Sequence, residues 1–236
     1  LKDAGEVIIT GSGDAFGSGG RLQTCFHVTT AEKEFLIDCG ATALMGFNKH
    51  GLDPNRVGTI LISHLHGDHF SGLVWWLLHA LHVARRTQPL DIVGPEGIAE
   101  RYRVAAEALF PGATQRETPY PLTWHELKAG AVTTVNGITV TPQTVSHPSG
   151  APSYGLRITT EGKTIGFSGD SEWVEALVEV VEALGPDTLI FASVAGEPFA
   201  ARVRPDMKPP PGQPVRFRFA GHKTHLFNPA TGERTS

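Results

Sequence analysis

Short apolar stretches alternate with polar, glycine-rich breaks along the first two thirds of the chain, and their period sorts them into strands and helices. Residues 6–10 read as a strand that runs into the loop "TGSGDAFGSGGR". Two strands follow at about 22–29 and 34–38, joined by the polar turn "TTAEK". "GLDPNRVGTILISH" predicts a short helix or turn and then a strand at Thr59–Ile62, apolar throughout and therefore buried on both faces. "SGLVWWLLHALHVARR" places apolar residues at helical spacing behind Ser71, a good N-cap. A strand at "LDIVGPEG" and a helix over "GIAERYRVAAEALF", ending near Pro111, come next. "GAVTTVNGITVTPQTVSH" is a hairpin turning at Asn136-Gly137, and "YGLRITTEGKTIGFSGD" is a second, turning at Glu161-Gly162. A helix is expected over about 171–184.

After residue 186 the pattern changes. "TLIFASVAG", "EPFAARVRP" and "PVRFRFAG" read as strands separated by turns such as "KPPPGQP". This change from α/β to all-β predicts two units, 1–177 and 178–236. With 236 residues, 40% of them hydrophobic and 19% charged, the chain is of globular composition and can bury a sizeable core. No apolar run approaches the roughly 20 residues of a membrane span, so no membrane association is expected. Net charge −4 offers nucleic acid no bulk attraction, so nucleic acid is not an expected partner. Cys25 and Cys39 lie on neighbouring strands; they read as buried thiols of a reducing, cytoplasmic compartment rather than a disulfide framework.

The chemistry concentrates at strand ends. "TILISHLHGDHFSGL" delivers His64, His66, Asp68 and His69 directly after a buried strand. His147 ends the strand in "TVSHP", and Asp170 ends the strand in "GFSGDS". Imidazole and carboxylate are good ligands for zinc and other divalent first-row metals. Histidines at i and i+2 can converge on one cation while an adjacent Asp-His pair serves a second, and a carboxylate can bridge the two. A lone histidine would be a hydrogen-bonded structural residue; so many costly polar groups at buried strand ends point to metal instead.

"SHLHGDH", with "SH" at 146–147 and "SGD" at 168–170, resembles the metallo-β-lactamase superfamily and its HxHxDH motif. "FLIDCG" at 35–40 is similar to that superfamily's early strand, and the loop at 11–21 is similar to that of its ribonuclease Z-like members. The resemblance covers about residues 5–176 and implies an α/β fold, the αβ/βα sandwich, here truncated in its second half. It also implies two divalent cations, zinc foremost with manganese or iron as alternatives. By that resemblance His64, His66 and His147 hold the first, Asp68 and His69 the second, and Asp170 bridges them.

The superfamily's last histidine has no counterpart directly after Asp170. The segment from Val178 onward resembles the TOBE module, an OB-like β-barrel, of sugar-importer ABC ATPases, and the chain reads as a fusion. No GxxxxGK[ST] phosphate loop accompanies it. His222 and His225 in this tail are the candidates to replace the missing ligand.

The glycine-rich loop can hold a substrate phosphate on backbone N–H groups, which makes Gly13, Asp14 and Ser18 candidate substrate contacts. Asp38 is expected to support the histidines as a hydrogen-bond acceptor. The expected activity is metal-dependent hydrolysis of a small-molecule ester, a phosphodiester or phosphotriester first, with Asp68 and Asp170 accepting the proton of the attacking water. A lactone, β-lactam or carboxylic ester is the alternative substrate; a metal- or oxyanion-binding protein with little turnover is the alternative function. The shortened sandwich would expose an apolar edge, so a homodimer is a further expectation.

Overall fold

The computed structural model describes residues 5–172 and, beyond them, strands at 183–184, 187–194, 197–203, 226–227 and 234–235. A six-stranded sheet follows chain order: β1 (Glu6–Gly11), β2 (Cys25–Thr29), β3 (Glu34–Ile37), β4 (Thr59–Leu61), β5 (Leu90–Pro95) and β6 (Leu122–Leu127). The first three strands pair antiparallel, β1 and β2 through the long glycine-rich loop and β2 and β3 through a short turn, whereas β3, β4, β5 and β6 pair parallel. Each parallel step needs a crossover. Helices α1 (Ala43–His50), α3 (Gly72–His82) and α4 (Ile98–Leu109) occupy those crossovers.

The sheet is buried on both faces, as the unbroken apolar run of β4 predicts. Leu36, Ile60, Ile62 and Ile92 belong to one core with Phe47, Leu73, Trp76 and Ile98 of the helices. The intervening residues Phe35, Ile37, Leu61 and Val93 belong to a second core. That core is shared with a four-stranded antiparallel sheet of β7 (Thr133–Val135), β8 (Ile138–Thr144), β9 (Tyr154–Thr160) and β10 (Lys163–Phe167), ordered β10-β9-β8-β7. Period-two alternation thus divides each central strand between the helix layer and the second sheet. Burying one such side chain contributes ~1.5–3 kcal/mol.

Both predicted hairpin turns are present. Asn136 and Gly137 take φ of 50° and 70°, and Glu161 and Gly162 take 48° and 71°, the positive values that two-residue hairpin turns require. Two local features differ from expectation. Asp68 and His69, read only as following a buried strand, lie in the short helix α2 (Gly67–Phe70). Ser71 is consequently no N-cap: its φ and ψ are helical, and its hydroxyl donates to the Gly67 carbonyl at 2.6 Å. The helix expected at 171–184 ends otherwise, because Ala183–Leu184 form β11, while residues 173–182 lie outside the described residues.

Of the all-β segment, β12 (Asp187–Val194) pairs antiparallel with β13 (Glu197–Val203), matching the first two strands expected there, and with β11. Two short strands, β14 (Leu226–Phe227) and β15 (Arg234–Thr235), also pair antiparallel. The strand expected at 214–221, and the candidate ligands His222 and His225, lie outside the described residues. Among the described residues no helix is long and apolar enough to cross a membrane.

Candidate metal centre

Parallel pairing of β3 and β4 brings two chain exits to one edge. Asp38 follows β3 directly, its N–H donating to the Leu61 carbonyl at the end of β4 at 2.7 Å. Its φ of 58° turns the chain, and its carboxylate is fully buried. Such a group survives only if its oxygens are satisfied. Oδ1 accepts from the Ser63 N–H at 2.8 Å; Oδ2 accepts from the Ser63 hydroxyl at 2.9 Å and faces His69 Nδ1 at 2.6 Å. Asp38 therefore supports the cluster as the sequence reading expects.

Six side chains expected as ligands converge above this carboxylate. Ligand atoms of His64, His66 and His147 lie within 4.8 Å of one another, and so do those of His64, His69 and Asp170. A cation about 2 Å from each atom can bridge that span with small side-chain shifts. His66 Nδ1 and His147 Nε2 are 2.9 Å apart although 81 residues separate them. Asp170 spans both groups: Oδ1 is 3.3 Å from His69 Nε2, and Oδ2 is 3.9 Å from His147 Nε2. Asp68, buried, places Oδ2 3.5 Å from the same His69 nitrogen. His64 Nε2 is a buried atom with no hydrogen-bond partner among the described residues. Unlike the similarly bare ring nitrogens of His27 and His79, it belongs to a residue shared by both groups, which places it to ligate.

The backbone is packed tightly around these ligands. A Cβ on Gly40 would stand 2.3 Å from the Asp68 carbonyl oxygen, and one on Gly72 would stand 2.1 Å from the Gly40 carbonyl oxygen. Gly169, at φ 58°, turns β10's exit so that Asp170 reaches the cluster.

Charge follows geometry. Burial, aided by the neighbouring His69 charge, pushes His64 down to about 3, so it is neutral and able to ligate at pH 7. Burial also opposes charge on His69, but the carboxylates of Asp38 and Asp170 outweigh it and lift that imidazole to about 10. Burial disfavours the Asp170 carboxylate, yet the His69 imidazolium dominates and draws it down to about 2.

The glycine-rich loop is held together by internal hydrogen bonds. Asp14 Oδ1 accepts from the N–H groups of Phe16 at 3.0 Å and Ser18 at 3.1 Å, and the Gly13 N–H donates to the Leu22 carbonyl at 2.6 Å. The amides of Gly13 and Ser18 are thus used inside the loop, and Asp14 is its internal anchor. At its base Gln23 Oε1 accepts from the Ala41 N–H at 2.8 Å.

The sequence reading missed two supports. Ser63 Oγ lies 3.0 Å from His64 Nδ1 while bonded to Asp38. The buried Ser153 donates to the His147 carbonyl at 2.7 Å and lies 3.0 Å from Ser149 Oγ, pegging the turn that carries His147. A serine beside a histidine motif was the one available signal.

Comparison with known proteins places this geometry. The sequence model of the family described as anti-Pycsar protein Apyc1 matches residues 6–200, a span that continues past the boundary expected at 177. The protein is 27% identical over 198 residues to a ribonuclease Z of Mycobacterium bovis, covering 80% of this chain and 70% of that one. In fold it is similar to the metallo-β-lactamase fold protein YhfI of Bacillus subtilis, with TM-score 0.62, 19% identity, and 78% and 69% of the two chains covered. It is likewise similar to the short form of human tRNase Z, with TM-score 0.60, 23% identity, and coverage of 75% and 74%. The sandwich described above is the metallo-β-lactamase fold.

Proposed function

The chain belongs to the anti-Pycsar protein Apyc1 family and is a metallo-hydrolase, and on that footing we propose that it hydrolyses a phosphodiester with water activated between two divalent cations. The observation that carries this reading is the pair of ligand groups sharing His64 and spanned by the two oxygens of Asp170. His64, His66 and His147 would hold one cation; Asp68, His69 and Asp170 would hold the other, with Asp170 between them. Bound there, the cations lower the pKa of a shared water and neutralise charge on the attacked phosphoryl oxygens. A set with four imidazoles suits zinc, and manganese or iron is the alternative.

The chain's own residues supply the rest. Asp170, with 46% of its side chain exposed, stands where the centre meets solvent and can accept the water's proton and pass it out. Asp68 is the second acceptor on the buried side. His147 is only partly buried, so substrate approaches over His147 and Asp170. Ribonuclease Z relatives favour a phosphodiester over a carbon ester or lactam. They also remove the ground for excluding nucleic acid: net charge −4 bears on bulk attraction, not on a phosphate held at a local cation pair. A nucleotide-type diester is therefore within the proposed range.

The test is turnover of bis(p-nitrophenyl) phosphate by zinc-loaded protein beside nitrocefin and p-nitrophenyl acetate. Diester cleavage that a chelator abolishes and zinc restores, and that His66→Ala lowers at least about 100-fold, is expected. Metal-dependent cleavage of the carbon substrates alone, or zinc bound with no turnover, would overturn it.

A further inference from the structure

Asp38, Ser63, His64 and His69 form one hydrogen-bonded chain whose proton positions can be assigned by elimination. An ionised carboxylate only accepts, and a hydroxyl has a single proton to give. Asp38 Oδ2 has two neighbours, Ser63 Oγ at 2.9 Å and His69 Nδ1 at 2.6 Å. The Ser63 proton lies toward Oδ2, so the hydroxyl meets His64 Nδ1, 3.0 Å away, as an acceptor. That nitrogen must then carry the hydrogen, and Nε2 keeps its lone pair. Nε2 is also a buried atom without a partner among the described residues, and His64 is the residue common to both ligand groups. The opposite tautomer would take the Ser63 proton from the carboxylate and bury an Nε2–H against the ligand cluster. Oδ2 would keep His69 Nδ1 but lose its second hydrogen bond, one to a charged acceptor and worth ~1.5–3 kcal/mol.

We propose that Ser63 is a positioning residue that fixes His64 as the Nδ1–H tautomer and, through the Asp38 oxygen it shares with His69, ties the two ligand groups together. The proposal rests on the metal-binding part of the function proposed above. A shift of Oδ2 moves the supports of His64 and His69 at once, so damage on one side is felt on the other. Partners of this kind commonly change metal affinity about 10–100-fold.

The decisive measurement is long-range proton–nitrogen NMR on the metal-free full chain with labelled histidine, which reads each ring's tautomer without any metal. Wild type is expected to show His64 protonated at Nδ1. Ser63→Ala should shift His64 toward Nε2–H and weaken the first zinc about 10–100-fold in chelator competition, with a smaller loss for the second. Wild-type His64 protonated at Nε2 overturns the proposal, and that reading needs no variant to fold. Ser63→Ala with tautomer and zinc affinity unchanged overturns it as well. The expected tautomer in a protein that takes up no zinc would sink the hydrolase reading and leave the Ser63 assignment standing.

Discussion

Asp38 is the residue on which most of the centre depends. Its buried carboxylate serves Ser63 twice and His69 once, so Asp38→Asn keeps the shape but removes the charge and presents an amide donor to His69. Destabilisation of about 3 kcal/mol is expected, read as a fall in melting temperature of roughly 6–12 °C. A second prediction concerns His69. In the metal-free fold its pKa stands at about 10, raised by Asp38 and Asp170 against burial. Its contribution to stability is therefore complete below the unfolded value of about 6.5 and is lost as pH rises through 10. The same charge must leave before the imidazole can ligate. Zinc uptake at pH 7.5 should thus release about one proton from this site, measured as the dependence of calorimetric heat on buffer ionisation enthalpy. Uptake with no proton release would contradict the charged His69.

Among the elements, the entry into α3 is the least tolerant. Gly72 lies against the backbone of Cys39 and Gly40, where an added Cβ would stand 2.6 Å and 2.1 Å from their carbonyl oxygens. Gly72→Ala should push α2 and α3 away from the end of β3, costing about 1–3 kcal/mol. It should also weaken metal binding, because Asp68 and His69 ride on α2. Intact zinc affinity in a destabilised variant would separate packing from ligand placement. Elements with their own local signal were legible, among them β4, α4 and both hairpins. α1 and β6 were not. α1 is eight residues ended by Gly51, and β6 is a half-exposed edge strand, "LTWHEL", whose polar positions hide its period. Their stability comes from what they pack on, which local sequence does not record.

At the scale of the molecule, the core on the helix side of the sheet encloses both cysteines. Cys25 and Cys39 are free and fully buried, and burial pushes the Cys25 thiol up to about 12 and that of Cys39 well above its ordinary range. Neither should react with Ellman's reagent in the native protein, and both should react once it is unfolded. Rapid native labelling of either would show that the helix layer opens. Metal couples to the whole fold in the same way: a ligand bound only by the folded state stabilises it, so a chelator should lower the melting temperature of zinc-loaded protein.

The sequence by itself pointed to the candidate ligands and their placement at strand ends, because HxHxDH follows the fully buried β4 while His147 and Asp170 follow the hairpin strands β8 and β10. It also determined the turns at Asn136-Gly137 and Glu161-Gly162, since positive φ favours Asn and Gly locally and each turn carries a glycine. Only the tertiary structure decided which atom meets which. Asp38 reaches Ser63 across 25 residues and His69 across 31 because β3 and β4 run parallel and end at one edge. His66 reaches His147 across 81 because the second sheet closes over the first. It likewise turned the glycine-rich loop inward on Asp14, since amides near a carboxylate bond to it first. Pattern along a chain records what each residue is; pairing between strands sets the distances on which ligation and proton position depend.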